Sequence, residues 1–435
     1  MAPKAPKIGH VDRFQHPGRL DSADFCDAGE AGREAFFSVT RRESVMRIAF
    51  YAPLKPPAPK ARSGERDIAG LLMDALAHAG HAVELASPFS SYEGEGDVDR
   101  QAALRDQGIA LARQFVARSR TGSRVARPDL WFTYHVYYKA PDWLGSPISA
   151  AFGIPYVIAE ASHAPKRARG RWAIGHDATG EALRQADLVL CSTRHDVLCV
   201  EPLVFDRERI VRLPPFLDPA AYGAAAEARA LHRATLASAH QLDPGVAWIM
   251  AGATMLRDDK LDSFRALAAA LARLQDLPWR LLVAGDGPAR SEVERVMDVA
   301  LPGRACFPGD LAASELAAVY AACDLCVWPA INETYGVEML KAQAAGTAVV
   351  SCALRGVPDS VAQGRAGVLV PPGDDDALSQ SVRELLLDPS RRAAMGRMAM
   401  DFIGSERSVD ATGARLGRAL AKVIDGGAAP RPETR

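Results

Sequence analysis

The sequence predicts an α/β protein built from parallel sheets, and three observations carry that prediction. Short apolar runs bounded by Pro or Gly, suited to buried strands, alternate with segments of helical period. Each such pair closes as a strand, helix, strand unit, which winds right-handed into a parallel sheet. The alternation starts at Met46 and starts afresh at Val246, so the 435 residues divide into at least two cores.

Composition narrows the class. Hydrophobic residues make up 48% of the chain and charged residues 24%, the proportions of an ordinary globular protein. A net charge of -1 supplies no field to attract nucleic acid, which is excluded as a partner. Seven Cys, an odd number scattered through an α/β pattern, read as reduced thiols of a cytoplasmic protein. No apolar run approaches the length of a membrane span, which leaves peripheral contact with the inner membrane face open. Oligomeric state is not legible.

In chain order, residues 1–45 lack a sustained apolar period and a secretory apolar block, and read as a disordered extension. The first strand itself begins with Met46, which makes Met46 the expected native start. Intact upstream peptide in protein from native cells would overturn that expectation. Met46 to Pro53 forms the strand, and a Pro-rich basic loop ends in Ser63-Gly64-Glu65. A helix follows, with apolar Ile68, Leu71, Leu72, Ala75 and Leu76, then a strand from Val83. The Gly64 loop is either a plain turn with a helix cap or a phosphate cradle, since it lacks the spaced glycines of a nucleotide fingerprint.

Residues 101–119 read as helix, and two strands then run into polar loops. Pro128 to Lys139 delivers Tyr134, His135 and Lys139, and Gly153 to His163 delivers Glu160 and His163. Both place polar groups at carboxyl ends, where open sheets bind ligands. The basic cluster Lys166, Arg167, Arg169 and Arg171 is either a solvated loop or an anion site for an acidic or phosphorylated acceptor. A strand at 186–192 leads to a turn at Leu213 to Asp218. In the second half, Val246 to Gly252 is a strand, Leu261 to Leu274 a helix, and Trp279 to Pro288 a strand with a tight turn. Cys323 and Cys326 have redox-motif spacing but read as small buried thiols. After Asp374 helical patterns cover 377–387, 391–403 and 409–424.

The most informative stretch runs from Pro329 to Ser351: a strand before it, a polar loop carrying Glu333, then Gly336, a helical segment to Gly346, and a strand. Amides freed at that helix start, beside a residue without a side chain, suit a diphosphate, while Glu333 faces the hydroxyl-rich end of the same ligand. At Asn332-Glu-Thr-Tyr-Gly336, Ala345-Gly-Thr-Ala-Val-Val-Ser351, Arg355-Gly-Val-Pro-Asp359 and Gly364 to Asp374, the chain resembles glycosyltransferase family 4, as a divergent member. Those are retaining enzymes of the GT-B fold, with two Rossmann-like parallel-sheet domains facing a central cleft and a final helix that crosses back to the first domain. The resemblance covers nearly everything from Met46 onward. It implies an acceptor domain at 46–215, a donor domain at 216–405, a crossover helix at 406–425 and a frayed tail at 426–435.

The resemblance further implies a transferase moving a sugar from a nucleotide-diphospho-sugar to a glycan, lipid or small-molecule acceptor, without metal or cofactor. Glu333, Lys260 and His163 take the catalytic places. Gly64, Arg257, Gly287, Thr334, Tyr335, Gly336, Val337, Glu338 and Lys341 take the donor side, and His135, Lys166 and Arg167 the acceptor side. Two departures stand out. Met255 occupies the family's diphosphate-binding Arg position, with Arg257 two residues on, and Lys341 occupies the position of the Glu that grips ribose, with Glu338 three residues earlier. An ammonium can only donate where a carboxylate accepts both ribose hydroxyls. On that reading Lys341→Glu should tighten nucleotide binding. The competing readings are a noncatalytic nucleotide-sugar-binding or scaffold protein on the same fold, and a sugar-nucleotide epimerase, for which no acidic pair can be placed.

Overall fold

Apolar runs such as Ile48-Ala-Phe-Tyr51 send alternate side chains to opposite faces of a sheet. The computed structural model, which describes residues 45–57, 64–121 and 127–425, shows this directly. Ile48 and Phe50 join one core with Leu72, Ala75 and Leu76, whereas Ala49 and Tyr51 join another with Trp131 and Ile158. Both faces are thus covered, as an all-parallel sheet requires. The first has strands β1 (Arg47–Tyr51), β2 (Ala82–Leu85), β3 (Leu130–Val136), β4 (Tyr156–Ala161), β5 (Leu188–Cys191) and β6 (Ile210–Arg212), in the order β2-β1-β3-β4-β5-β6.

The second sheet has β7 (Ala247–Gly252), β8 (Trp279–Ala284), β9 (Ala305–Gly309), β10 (Leu325–Trp328), β11 (Ala348–Cys352) and β12 (Gly367–Val370). Its order is β12-β11-β10-β7-β8-β9, again all parallel. The order reverses between β7 and β10, and the loops leaving a sheet at such a reversal diverge to open a crevice. Trp248, Phe264 and Trp328 are fully buried in this half's core.

The last helix, Val409–Asp425, returns to the first half as expected. Its Leu416 and Leu420 enter the core shared with Leu72 and Leu76. Gly413 permits the close crossing, since a Cβ there would lie 2.7 Å from the Ala75 carbonyl oxygen. Asp359 ties the two halves. Its buried carboxylate accepts from the Arg194 amide (3.0 Å) and the Arg212 guanidinium (2.8 Å), and its carbonyl from Arg407 (3.3 Å).

The helix after β1 begins at Gly64, so that glycine opens a helix (Gly64–His78), and the preceding loop at 58–63 lies outside the described residues, as do 1–44 and 426–435. Sequence patterning missed the paired helices Ala220–Glu227 and Arg229–His240. The second has no fully buried residue and packs only Leu236 and Ala237 against the core, too short a stripe to mark it. Cys323 and Cys326 are free and buried, and burial pushes both thiols well up.

Candidate active site

Two loops meet where the second sheet reverses. The loop after β10 is set by backbone geometry: Ala330 (φ 57°), Asn332 (φ 58°) and Gly336 (φ 71°) all lie in the left-handed region. Such conformations hold only where surroundings impose them, at ~1–3 kcal/mol for each non-glycine residue. Here the helix Asp259–Ala272, which follows β7, imposes them. The Ile331 amide donates to Ser263 Oγ (2.9 Å), and the Asn332 amide group donates to Asp259. Glu333 is thereby delivered to Lys260, whose Nζ donates to Glu333 Oε2. The other carboxylate oxygen lies 3.5 Å from the Gly336 amide. A Cβ on Gly336 would come within 3.0 Å of Met339 Cε and 3.1 Å of Ser360.

Val337 begins the helix Val337–Ala344, and one turn places Glu338 beside Lys341, at 2.9 Å. Tyr320 donates its hydroxyl to the second oxygen of Glu338. Burial opposes the charge on Lys341, but Glu338, Tyr222 and Asp67 together hold its pKa above the ordinary value. Asp67 belongs to the helix that Gly64 opens, so this pair adjoins the first half's β1 edge. The Lys that replaces an expected carboxylate is thus the counter-charge of a carboxylate three residues earlier.

Met255 does not face solvent. It is fully buried in the core of the second half, and its amide donates to the Asp286 carbonyl (2.9 Å). Arg257 is exposed on the same loop. Gly287 and Gly285 serve this loop from beneath: Cβ atoms there would lie 2.5 Å from the Met255 oxygen and 2.1 Å from the Ala253 oxygen. The Gly-Asp-Gly turn is therefore a close-packing device that shapes the Thr254 to Lys260 segment. Thr334 is exposed, and its carbonyl oxygen packs where a Gly356 side chain would be, 1.9 Å from that Cβ position.

Tyr335 crosses to the first half. Its phenol hydrogen-bonds Ser192, and burial first, then the charge of Glu160, pushes its pKa well up. Glu160, at the carboxyl end of β4, bears on it, and His135 stands beside Glu160 at the carboxyl end of β3. His135 Nδ1 and Glu160 Oε1 lie 3.4 Å apart, and both side chains are largely buried. His163 instead turns toward the helix Ala173–Gln185: its ring centroid is 4.2 Å from that of His176, and burial, His176 and Arg184 lower its pKa. Lys166 is exposed, while Arg167 lies over the Tyr138 ring at 5.2 Å. Lys139 lies 5.0 Å above Trp172. The sequence had brought Glu160 to a strand end without assigning it a role. Its backbone conformation, visible only in the fold, is the signal that marks it.

Two six-stranded parallel sheets in this arrangement are those of the GT-B fold, and the sequence likeness to known glycosyltransferases is low. Residues 249–388 match the family model described as Glycosyl transferases group 1. D-inositol 3-phosphate glycosyltransferase of Corynebacterium urealyticum is 33% identical over 142 residues, 31% of this chain and 33% of the relative. The enzyme of the same name from Stackebrandtia nassauensis is 24% identical over 356 residues, 75% of each chain. The match thus spans a third of one relative's length and three quarters of the other's. Anabaena HepE in complex with UDP shares the fold at a TM-score of 0.64 and 15% identity, over 87% of this chain and 100% of that one. Among the described residues, no helix is long and apolar enough to cross a membrane.

Proposed function

We propose that the protein transfers a sugar from a nucleotide-diphospho-sugar to a hydroxyl acceptor, with retention at the anomeric carbon, in the cytoplasm. The observation that carries the reading is the Lys260 and Glu333 pair, assembled from two loops at the sheet reversal beside the amino end of the helix Val337–Ala344. Glu333 grips the donor sugar's hydroxyls. Lys260 and the amides near Gly336 meet the diphosphate, so that the charge growing on the leaving group is stabilised without a metal ion. Glu338, oriented by Tyr320 and Lys341, replaces the missing carboxylate toward ribose. UDP in HepE supports a nucleotide diphosphate, and the named acceptor of the two relatives supports a phosphorylated polyol. Lys166 and Arg167 suit its phosphate. The acceptor hydroxyl attacks on the face from which the diphosphate leaves, and a diphosphate oxygen takes its proton.

The experiment is calorimetric titration with UDP- and GDP-sugars, followed by donor consumption with phosphorylated polyols. Wild type should bind and turn over. Glu333→Ala should fold but lose roughly 100- to 1000-fold in turnover. A noncatalytic binding protein is the second reading, favoured by the burial of Met255, which leaves the β7 loop one cation short. Tight binding without consumption of any donor would establish it.

A further inference from the structure

The ladder between β3 and β4 pairs Tyr134 with Ala159 and Val136 with Ala161, and skips the residues between them. Those two, His135 (φ 63°) and Glu160 (φ 56°), both occupy the left-handed region. Glutamate gains nothing there from its side chain, and glycine or asparagine would sit with less strain. Two adjacent strands kinked at the same level, at the edge where sites form, place strain where function can use it. The kink turns both side chains together, and their heteroatoms come within 3.4 Å. Tyr335, two residues from Glu333 on the donor loop and hydrogen-bonded to Ser192, lies within reach of the Glu160 charge.

We propose that Glu160, positioned by His135, is a catalytic residue that accepts a hydrogen bond from the acceptor's attacking hydroxyl. This rests on the transferase reading and names the group that aims the acceptor. In the step, the bond from the acceptor oxygen to the anomeric carbon forms as the bond from that carbon to the diphosphate oxygen breaks. The hydroxyl proton passes to the departing diphosphate. Glu160 exchanges no proton: it fixes the direction of the oxygen lone pair and holds the hydroxyl against the sugar. His135, with Nδ1 3.4 Å from Oε1, fixes the carboxylate, and Tyr335, hydrogen-bonded to Ser192, lies within reach of its charge.

The test separates transfer from donor hydrolysis, in which water replaces the acceptor. Glu160→Gln should lower kcat/KM for the acceptor about 30-fold or more, with donor Kd within about twofold of wild type and hydrolysis without acceptor unchanged. Glu160→Gly should lose transfer equally, yet melt no lower than wild type, because glycine relieves the backbone. His135→Asn, which tolerates the same backbone, should give a smaller loss of the same kind. Transfer by Glu160→Gln at the wild-type rate would overturn the proposal. So would a fall in transfer matched by equal falls in hydrolysis and donor affinity, or a Glu160→Gly variant that transfers normally. A wild-type protein that binds no nucleotide sugar sinks the transferase reading and this inference with it. Wild-type transfer with an inert Glu160 sinks this inference alone.

Discussion

The two carboxyl edges facing each other in this molecule are built differently. On the second sheet, the Glu333 loop is fixed by three left-handed residues and the Ile331 amide's donation to Ser263 Oγ, and the neighbouring β7 loop by glycine turns packed against Met255 and Ala253. On the first, side chains from separate strands are brought together by a paired kink at His135 and Glu160, with a shell of Tyr138, Trp172, Lys139 and Arg167 held through ring contacts. A backbone-built site suits a ligand part that is constant, such as a diphosphate. A side-chain-built site suits a part that differs between relatives, because side chains can be exchanged without refolding the loop.

The largest effect on stability is expected where the halves join: Asp359→Ala leaves the Arg212 guanidinium and the Arg194 amide without their shared acceptor. It should cost about 3 kcal/mol in chemical denaturation. Arg407 is already pulled down to about 10, chiefly by burial. Next is Gly285→Ala, which places a Cβ 2.1 Å from a carbonyl oxygen at φ 132° and should cost about 2 kcal/mol or more. A matching loss of nucleotide binding would confirm that the turn shapes the β7 loop.

A smaller effect is expected at Lys341. Lys341→Met leaves Glu338 held by Tyr320 but without its counter-charge, and nucleotide Kd should rise roughly tenfold by titration. Lys341→Glu should also weaken binding, the reverse of the expectation from sequence, because it sets two carboxylates side by side. The smallest effect belongs to His163. Its folded pKa lies below the unfolded value of about 6.5, so the unfolded chain binds more protons between those two values. Stability should fall as pH drops through that window, by less than about 0.5 kcal/mol given its partial exposure. His163→Gln should remove that part of the slope in denaturation curves taken from pH 7 to pH 5.

The strands β1, β7, β10 and β11 were legible because each is a short apolar run closed by Pro or Gly. The strand, loop and helix around Glu333 were legible because they are contiguous. Glu338 and Lys341 could be paired from helical spacing alone, but not with Tyr320, eighteen residues away on another helix. His163 illustrates the opposite case. A histidine after a strand suggested the acceptor pocket, and the fold turns it to His176.

By itself, the sequence determined the alternation of strands and helices, the two cores and the glycine-bearing donor loop, since periodicity and turn chemistry act between near neighbours. Only the tertiary structure decided that Met255 is interior, that Lys341 serves Glu338, and that His135 and Glu160 share one kink. Those outcomes depend on contacts between residues far apart in the chain, whose energies appear only once both sheets are formed and packed.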